Sequence, residues 1–294
     1  MDQVLQYLLS GLTIGSIYAI VAIGYNIIYN TTGIINFAQG EFLMVGAMTA
    51  ISLQTVVPLP IAVAGGIAVT ALLAALLELV FLRWLKNPSV LRMIVITIGL
   101  SILIREAALL IWDEKVRSLP FFTGNEVSSV SLFGARVSPQ VFWVLGVSTA
   151  LVTALSLFFK FTLTGRAMRA CAASRAAAAL CGIPVRNMVT LSFLLAGATG
   201  ALAGCLISPI TQTQYDCGTP LAIKGFAVAV FGGLGNSAAA VAAGLILGLL
   251  ETFSIIVLPL AYKDALSIAV MLLVLVARPG GLFGSREMTR LKEY

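Results

Sequence analysis

Histidine is absent from this 294-residue sequence, and charge is scarce: Asp, Glu, Lys and Arg together make up 10%, against about a quarter in an average soluble domain. The four cysteines, Cys171, Cys181, Cys205 and Cys217, have no C-x-x-C spacing. With no histidine to join them, neither a metal site nor a disulfide framework is indicated, and no cofactor is implied. No G-x-x-x-x-G-K-[ST] phosphate loop occurs, which excludes ATP binding by that route. Work driven by ATP would need another subunit. The amino terminus carries Asp2 in place of a basic segment and has no small-residue cleavage site, so the first apolar segment is expected to remain as a span.

What the sequence has in abundance is apolar residues, 60% of the chain, with a mean hydropathy of +1.04. That composition belongs to a polytopic membrane protein: all-α, because helices satisfy every backbone polar group within one segment. Apolar segments run over 8–29, 36–56, 61–83, 93–112, 141–159, 189–208, 221–232, 238–257 and 265–277. A span needs about 20 residues, so 221–232 and 265–277 are short or discontinuous helices, or full spans with wider ends. Eight or nine crossings are expected in one transmembrane domain, 1–294. The formal charge of +6 bears on topology first, since Lys and Arg stay on the cytoplasmic side of a membrane. Nucleic acid is not an expected partner. Arg83, Lys86 and Arg92 share one connection without an acid, as do Lys160, Arg166, Arg169, Arg175 and Arg186 in another, and the tail holds Arg278, Arg286, Arg290 and Lys292 against Glu287 and Glu293. These segments are expected in the cytoplasm. The connection 113–140, with balanced charge and Gly124, Gly134 and Pro139, is expected outside. The N-terminus then lies outside and the C-terminus inside, which favours nine crossings over eight.

The stretch 25–41, YNIIYNTTGIINFAQGE, sets amides, hydroxyls and a carboxylate between two apolar segments. It is either a solvated turn or the start of a transport path, since lipid receives no such groups. Polar residues continue into the next apolar run, which favours a path lined by Asn36, Gln39 and Glu41, with Asn26, Thr32 and Asn236 beside it. Asn36 and Gln39, three apart, are expected on one face of a helix start. Gly11 and Gly15, Gly200 and Gly204, and Gly244 and Gly248 are spaced four apart, as where helices pack closely. Ionisable residues within spans are Glu78, Arg105, Glu106 and Glu251. Glu78 either snorkels from a helix end or serves the site, while Arg105 and Glu106, as sequence neighbours, are not expected to face each other. The G-x-G-x-x-A run at 233–238 lacks the strand that would make it a dinucleotide loop. It reads as a tight turn, with Asn236 or Ser237 as a helix cap. The sequon at Asn30 falls on the inner side and is discounted.

The cytoplasmic connection 160–188 carries an alanine-rich run bounded by Ser174 and by Gly182 and Pro184. Ser174 is a good N-cap and Gly182 a good terminator, so a short exposed helix is expected. Such a basic helix either lies on anionic lipid or receives a partner.

Together, Gly33-Ile34-Ile35-Asn36-Phe37-Ala38-Gln39-Gly40-Glu41-Phe42 with Gly46-Ala47, Thr164-Gly165-Arg166-Ala167-Met168-Arg169-Ala170 with Ala179-Leu180-Cys181-Gly182-Ile183, and Phe231-Gly232-Gly233-Leu234-Gly235-Asn236 resemble the H-type permease subunits of branched-chain amino-acid ABC importers over nearly the whole chain. Ser174-Arg175 departs from the acidic residue expected before the docking helix. The resemblance implies a transport subunit without enzymatic activity in a bacterial inner membrane, a second related permease, two ATP-binding subunits, a periplasmic substrate-binding protein and a small amino-acid substrate. It further implies that Arg166, Arg169, Arg175, Ala179, Gly182 and Ile183 meet the ATPase. A urea or short-amide ABC permease is the nearest alternative. A self-driven ion-coupled carrier or channel is the other, and it would be marked by a buried carboxylate or His relay.

Overall fold

Long apolar segments have one inexpensive way to satisfy their backbone in hydrocarbon, and each expected segment is helical. The computed structural model describes residues 2–85, 89–125, 127–132, 135–256, 259, 262–277 and 281. Lys86, Glu126, Gly134 and the charged tail residues Arg278, Arg286, Glu287, Arg290, Lys292 and Glu293 lie outside the described residues. The main helices are α1 (Asp2–Thr32), α2 (Gln39–Gln54), α3 (Leu59–Leu77), α4 (Val90–Trp112) and α5 (Pro139–Phe161). Two short helices follow, α6 (Leu163–Ala173) and α7 (Arg175–Leu180), and then α8 (Val185–Thr211), α9 (Gly218–Gly232), α10 (Ser237–Ser254) and α11 (Lys263–Ala277). Six of them, α1, α3 with its π-helical extension Glu78–Leu82, α4, α5, α8 and α10, are long and apolar enough to cross a membrane, and α9 is a shorter apolar helix. The architecture is an all-α polytopic bundle.

Local chemistry sets the ends. Ser89, Ser138 and Thr162 cap α4, α5 and α6, their hydroxyls accepting from the backbone N–H groups of Arg92, Gln140 and Gly165, and Pro139 opens α5 where no N–H is needed. The connection between α4 and α5 holds an unexpected antiparallel hairpin, β1 (Val130–Leu132) with β2 (Ala135–Val137). Its earlier part is tied to the bundle. Arg117 and Thr213 exchange backbone bonds of 2.9 and 2.7 Å, the Leu119 N–H donates to the Ser208 hydroxyl, and Gln140 accepts from Phe122 N–H while donating to Leu206 C=O.

At the centre lies α1, against α8, α9 and α10. Two of the expected glycine pairs face each other across α1 and α10: a Cβ on Gly15 would stand 2.7 Å from the Gly244 carbonyl oxygen, and one on Gly248 2.4 Å from the Gly11 carbonyl oxygen. Backbone meets backbone, so neither position has room for a side chain. Gly204 of α8 sits equally close to the Leu43 carbonyl of α2.

Candidate functional site

The polar break lies within the bundle. α1 ends where Thr31 and Thr32 turn their hydroxyls back onto the carbonyls of Ile27 and Ile28, and the Thr31 hydroxyl also donates to Ser192 at 2.7 Å. Gly33 then takes the left-handed conformation, φ 65°, which glycine adopts without steric cost. Asn36 precedes the next helix instead of sharing its first turn with Gln39: its Oδ1 accepts from Ala38 N–H and its carbonyl from Gln39 N–H. An Asx turn has displaced the expected helix start by three residues. Both side chains are buried.

Gln39 fills a three-helix junction. Its amide donates to the Ala196 carbonyl of α8 at 3.0 Å, and its side chain lies over Gly24 of α1 and Gly200 of α8, where a Cβ would come within 2.2 and 3.2 Å of Nε2. Glu41, also buried, accepts through Oε1 from Ser101 of α4 at 3.0 Å and Thr219 of α9 at 3.3 Å. Asn26 Nδ2, Asn36 Nδ2, Gln39 Oε1 and Glu41 Oε2 are all buried without a hydrogen-bond partner. Such an atom costs about 1–3 kcal/mol, so four of them in one region call for a functional account.

The glycine turn between α9 and α10 is held from α1. Asn26 Oδ1 accepts from Gly235 N–H at 3.0 Å, and Asn30 Nδ2 donates to Gly235 C=O at 3.0 Å. Asn236 caps α10 by accepting from Ala239 N–H. The turn and the end of α1 meet the short helices in a cavity of about 550 Å³ whose lining includes Thr32, Gly33, Ser174, Arg175 and Asn236. Thr32 and Asn236 of the expected path and Arg175 of the expected coupling segment are thus brought together. A second cavity of about 550 Å³ joins Asn30, Arg169 and Asn236 to the apolar side chains of α5. Asn36, Gln39 and Glu41 line neither.

In the connection 160–188 the alanine-rich helix forms as α7. Ser174 accepts from Ala177 N–H, and the end is a Schellman motif, with Gly182 N–H to Ala179 C=O and Ile183 N–H to Ala178 C=O, both 3.0 Å, and Gly182 at φ 79°. The preceding helix α6 was not expected from the sequence. It turns Gly165, Met168 and Cys171 inward and leaves Arg166 and Arg169 exposed, and burial pushes the Cys171 thiol up. Arg175, Ala179 and Gly182 are exposed and Ile183 is half-buried.

The structure settles where the charged residues of the spans lie. Glu78 does not snorkel: it is buried, and its carboxylate accepts from Thr190 of α8 at 2.6 Å. Arg105 and Glu106 do face each other, Nε to Oε1 at 3.6 Å, because long side chains reach around the helix although their Cβ atoms diverge. A further residue, Lys224, was missed altogether. It stands inside the apolar segment of α9 and meets buried Glu251 of α10 at 2.7 Å, while the other Glu251 oxygen accepts from the Tyr18 hydroxyl at 2.9 Å. A lone lysine in an apolar segment that also pairs with a helix bearing a lone glutamate was the signal for it.

The family model for the permease component of branched-chain amino acid transport systems matches residues 7–275. The chain is 34% identical to the Pseudomonas aeruginosa high-affinity branched-chain amino acid transport system permease protein BraD, over 98% of each chain. It is 33% identical to the Salmonella typhimurium permease protein LivH, over 98% of this chain and 97% of the relative. A probable LivH of the archaeon Methanocaldococcus jannaschii is 26% identical over 92% of this chain and 89% of its own. With a match of that extent, the chain belongs to the permease-component family of branched-chain amino acid transport systems.

Proposed function

We propose that this chain is a membrane permease subunit of an ABC importer that moves leucine, isoleucine or valine inward by alternating access, using ATP hydrolysed by two partner subunits. A second, related permease completes the membrane part, and a periplasmic binding protein delivers the amino acid. Nine helices are embedded in the bacterial inner membrane, with the N-terminus periplasmic and the C-terminus cytoplasmic. α2, α9 and α11 are the short ones. The observation that carries this reading is the broken α1–α2 connection in a chain of this family: Asn36, Gln39 and Glu41 place buried, unpartnered polar atoms in the bundle interior, where a transport path can use them. Asn26, Thr32 and Asn236 extend the path toward the cytoplasm. The segment 160–188 is the ATPase-docking element, with Arg166, Arg169, Arg175, Ala179, Gly182 and Ile183 at the contact.

The Lys224–Glu251 pair favours a second reading, an ion-coupled carrier, because a buried carboxylate of this kind also serves ion relays. Reconstitution separates the two. Leucine uptake into proteoliposomes holding the complete complex is expected to require both ATP and the binding protein. Uptake by this chain alone, driven by a Na⁺ or H⁺ gradient, would overturn the importer reading.

A further inference from the structure

Two residues past Gln39 the bundle opens. A cavity of about 250 Å³ lies between α4 and α9, lined by Tyr25, Phe37, Glu41, Ser101, Arg105 and Phe226 among others. It is smaller than the roughly 300–1,000 Å³ of pockets for drug-sized ligands, so it suits a single small metabolite. One wall is aromatic: Phe226 packs against both Tyr25 and Phe37 with ring centroids 5.8 Å apart. The opposite wall carries charge. Ser101 and Arg105, four apart on α4, share a helix face, and Glu41 rises from α2 with Oε1 held by Ser101 and Thr219 and with Oε2 buried and unpartnered. Glu41 and Arg105 are electrostatic neighbours, yet the ion pair that Arg105 makes among the described residues is with Glu106. A cation receptor and an anion receptor therefore face one small cavity without being paired to each other.

We propose that this cavity is a zwitterion subsite of the translocation path, in which Glu41 receives an α-ammonium group, Arg105 receives the α-carboxylate, and the Phe37–Phe226 wall takes an apolar side chain. The assignment rests on the importer reading above. It gives Arg105, Ser101, Thr219 and Phe226 a part in transport that sequence reasoning did not give them. The separated charges select an amino acid over an amine or a fatty acid: a fatty acid leaves the buried Glu41 oxygen without a partner, and an amine forgoes the bond to the half-buried Arg105. The mouth is rimmed by exposed Ile98, Ile102 and Ile223, beside the α4 face that carries Glu106, whose side chain is 55% exposed.

The test uses the complete reconstituted importer, with Glu41→Gln and Arg105→Gln in this chain. Each variant is expected to lower kcat/KM for leucine by about ten- to a hundredfold, the loss of one charge-assisted hydrogen bond, while the complex still assembles. Thermal shifts of the detergent-solubilised complex distinguish binding from mere support of the fold. Leucine is expected to stabilise the wild type more than 3-methylbutylamine or 4-methylpentanoate does. Glu41→Gln should erase the preference for leucine over 4-methylpentanoate, and Arg105→Gln the preference for leucine over the amine. Equal losses with all three probes would show a structural role and overturn the subsite. Unchanged leucine uptake by both variants, beside ATP-dependent uptake by the wild type, would overturn the subsite alone. If the wild type took up no amino acid with ATP and binding protein present, the importer reading would fall and the ligand with it.

Discussion

Helices α1 and α4 are both long, apolar and able to cross a membrane, yet 67% of the most apolar stretch of α1 is buried within the chain against 22% of α4. Hydrophobicity does not separate them, because lipid and protein interior are alike apolar. What separates them is size and polarity. α1 offers Gly11, Gly15 and Gly24 to its neighbours and carries Asn26, Thr31 and Thr32, whereas α4 presents Leu91, Val95, Ile102, Leu103 and Leu110 outward. A span that faces protein is recognised by what it lacks in bulk, and one that faces lipid or a partner chain by side chains that nothing in its own chain touches.

The sharpest way to break this contrast is Gly244→Leu. The Cβ alone would stand 2.8 Å from the Gly15 carbonyl oxygen, so the new side chain forces α1 and α10 apart. We expect loss of folded protein in fluorescence-detected size exclusion, beyond the 1–3 kcal/mol or so of ordinary overpacking. Lys224→Met comes next. It removes the cation at 2.7 Å from buried Glu251 and is expected to cost about 3–5 kcal/mol in a detergent unfolding assay. The double variant Lys224→Met, Glu251→Met should recover much of that, because two matched apolar groups leave no buried charge behind.

Asn26→Ala leaves the Gly235 N–H without its acceptor and should cost about 1–3 kcal/mol, read as faster proteolysis at the turn between α9 and α10. In Gly182→Ala no neighbour obstructs the new methyl, and only the φ of 79° opposes it. The expected cost is about 1 kcal/mol, read as weaker co-purification of the ATPase with the bundle intact; unchanged association, with ATP hydrolysis still stimulated by the binding protein, would remove 160–188 as the coupling element. Leu110→Ala, on the outward face of α4 at 86% exposure, should change the stability of the isolated chain by no more than about 0.5 kcal/mol. A larger loss there would show that α4 packs inside its own chain after all.

Much of this was readable in the residues. The nine apolar segments each became a helix, the glycine pairs found close backbone contacts, and Ser174 with Gly182 bounded α7 as capping chemistry requires. The polar stretch 25–41 was readable too, though the chain breaks only at 33–38 and the Asx turn of Asn36 moved the helix start to Gln39. Helix α6 was overlooked although its inward Gly165, Met168 and Cys171 alternate with exposed Arg166 and Arg169 at helical spacing, because only the alanine-rich run that follows was read for caps. Of the candidate site, Glu41 could be named but not its surroundings: Ser101 is 60 residues away and Thr219 is 178. Lys224 was overlooked as one charge in an apolar run, and it became informative only once Glu251 stood opposite.

By itself the sequence determined the membrane class, the nine long apolar helices and the caps of α7, because hydropathy, caps and glycines act over a few neighbouring residues and need no knowledge of the rest of the chain. Only the tertiary structure decided which polar residues lock helices together and which open onto a cavity. Gln39 and Glu41 lie two apart on one helix, but Gln39 is wedged between Gly24 and Gly200 while Glu41 is held by Ser101 and Thr219 in the wall of the cavity that Arg105 and Phe226 also line. That difference depends on which helices α1, α4, α8 and α9 bring alongside α2, and long-range packing of that kind leaves no period or spacing in the chain.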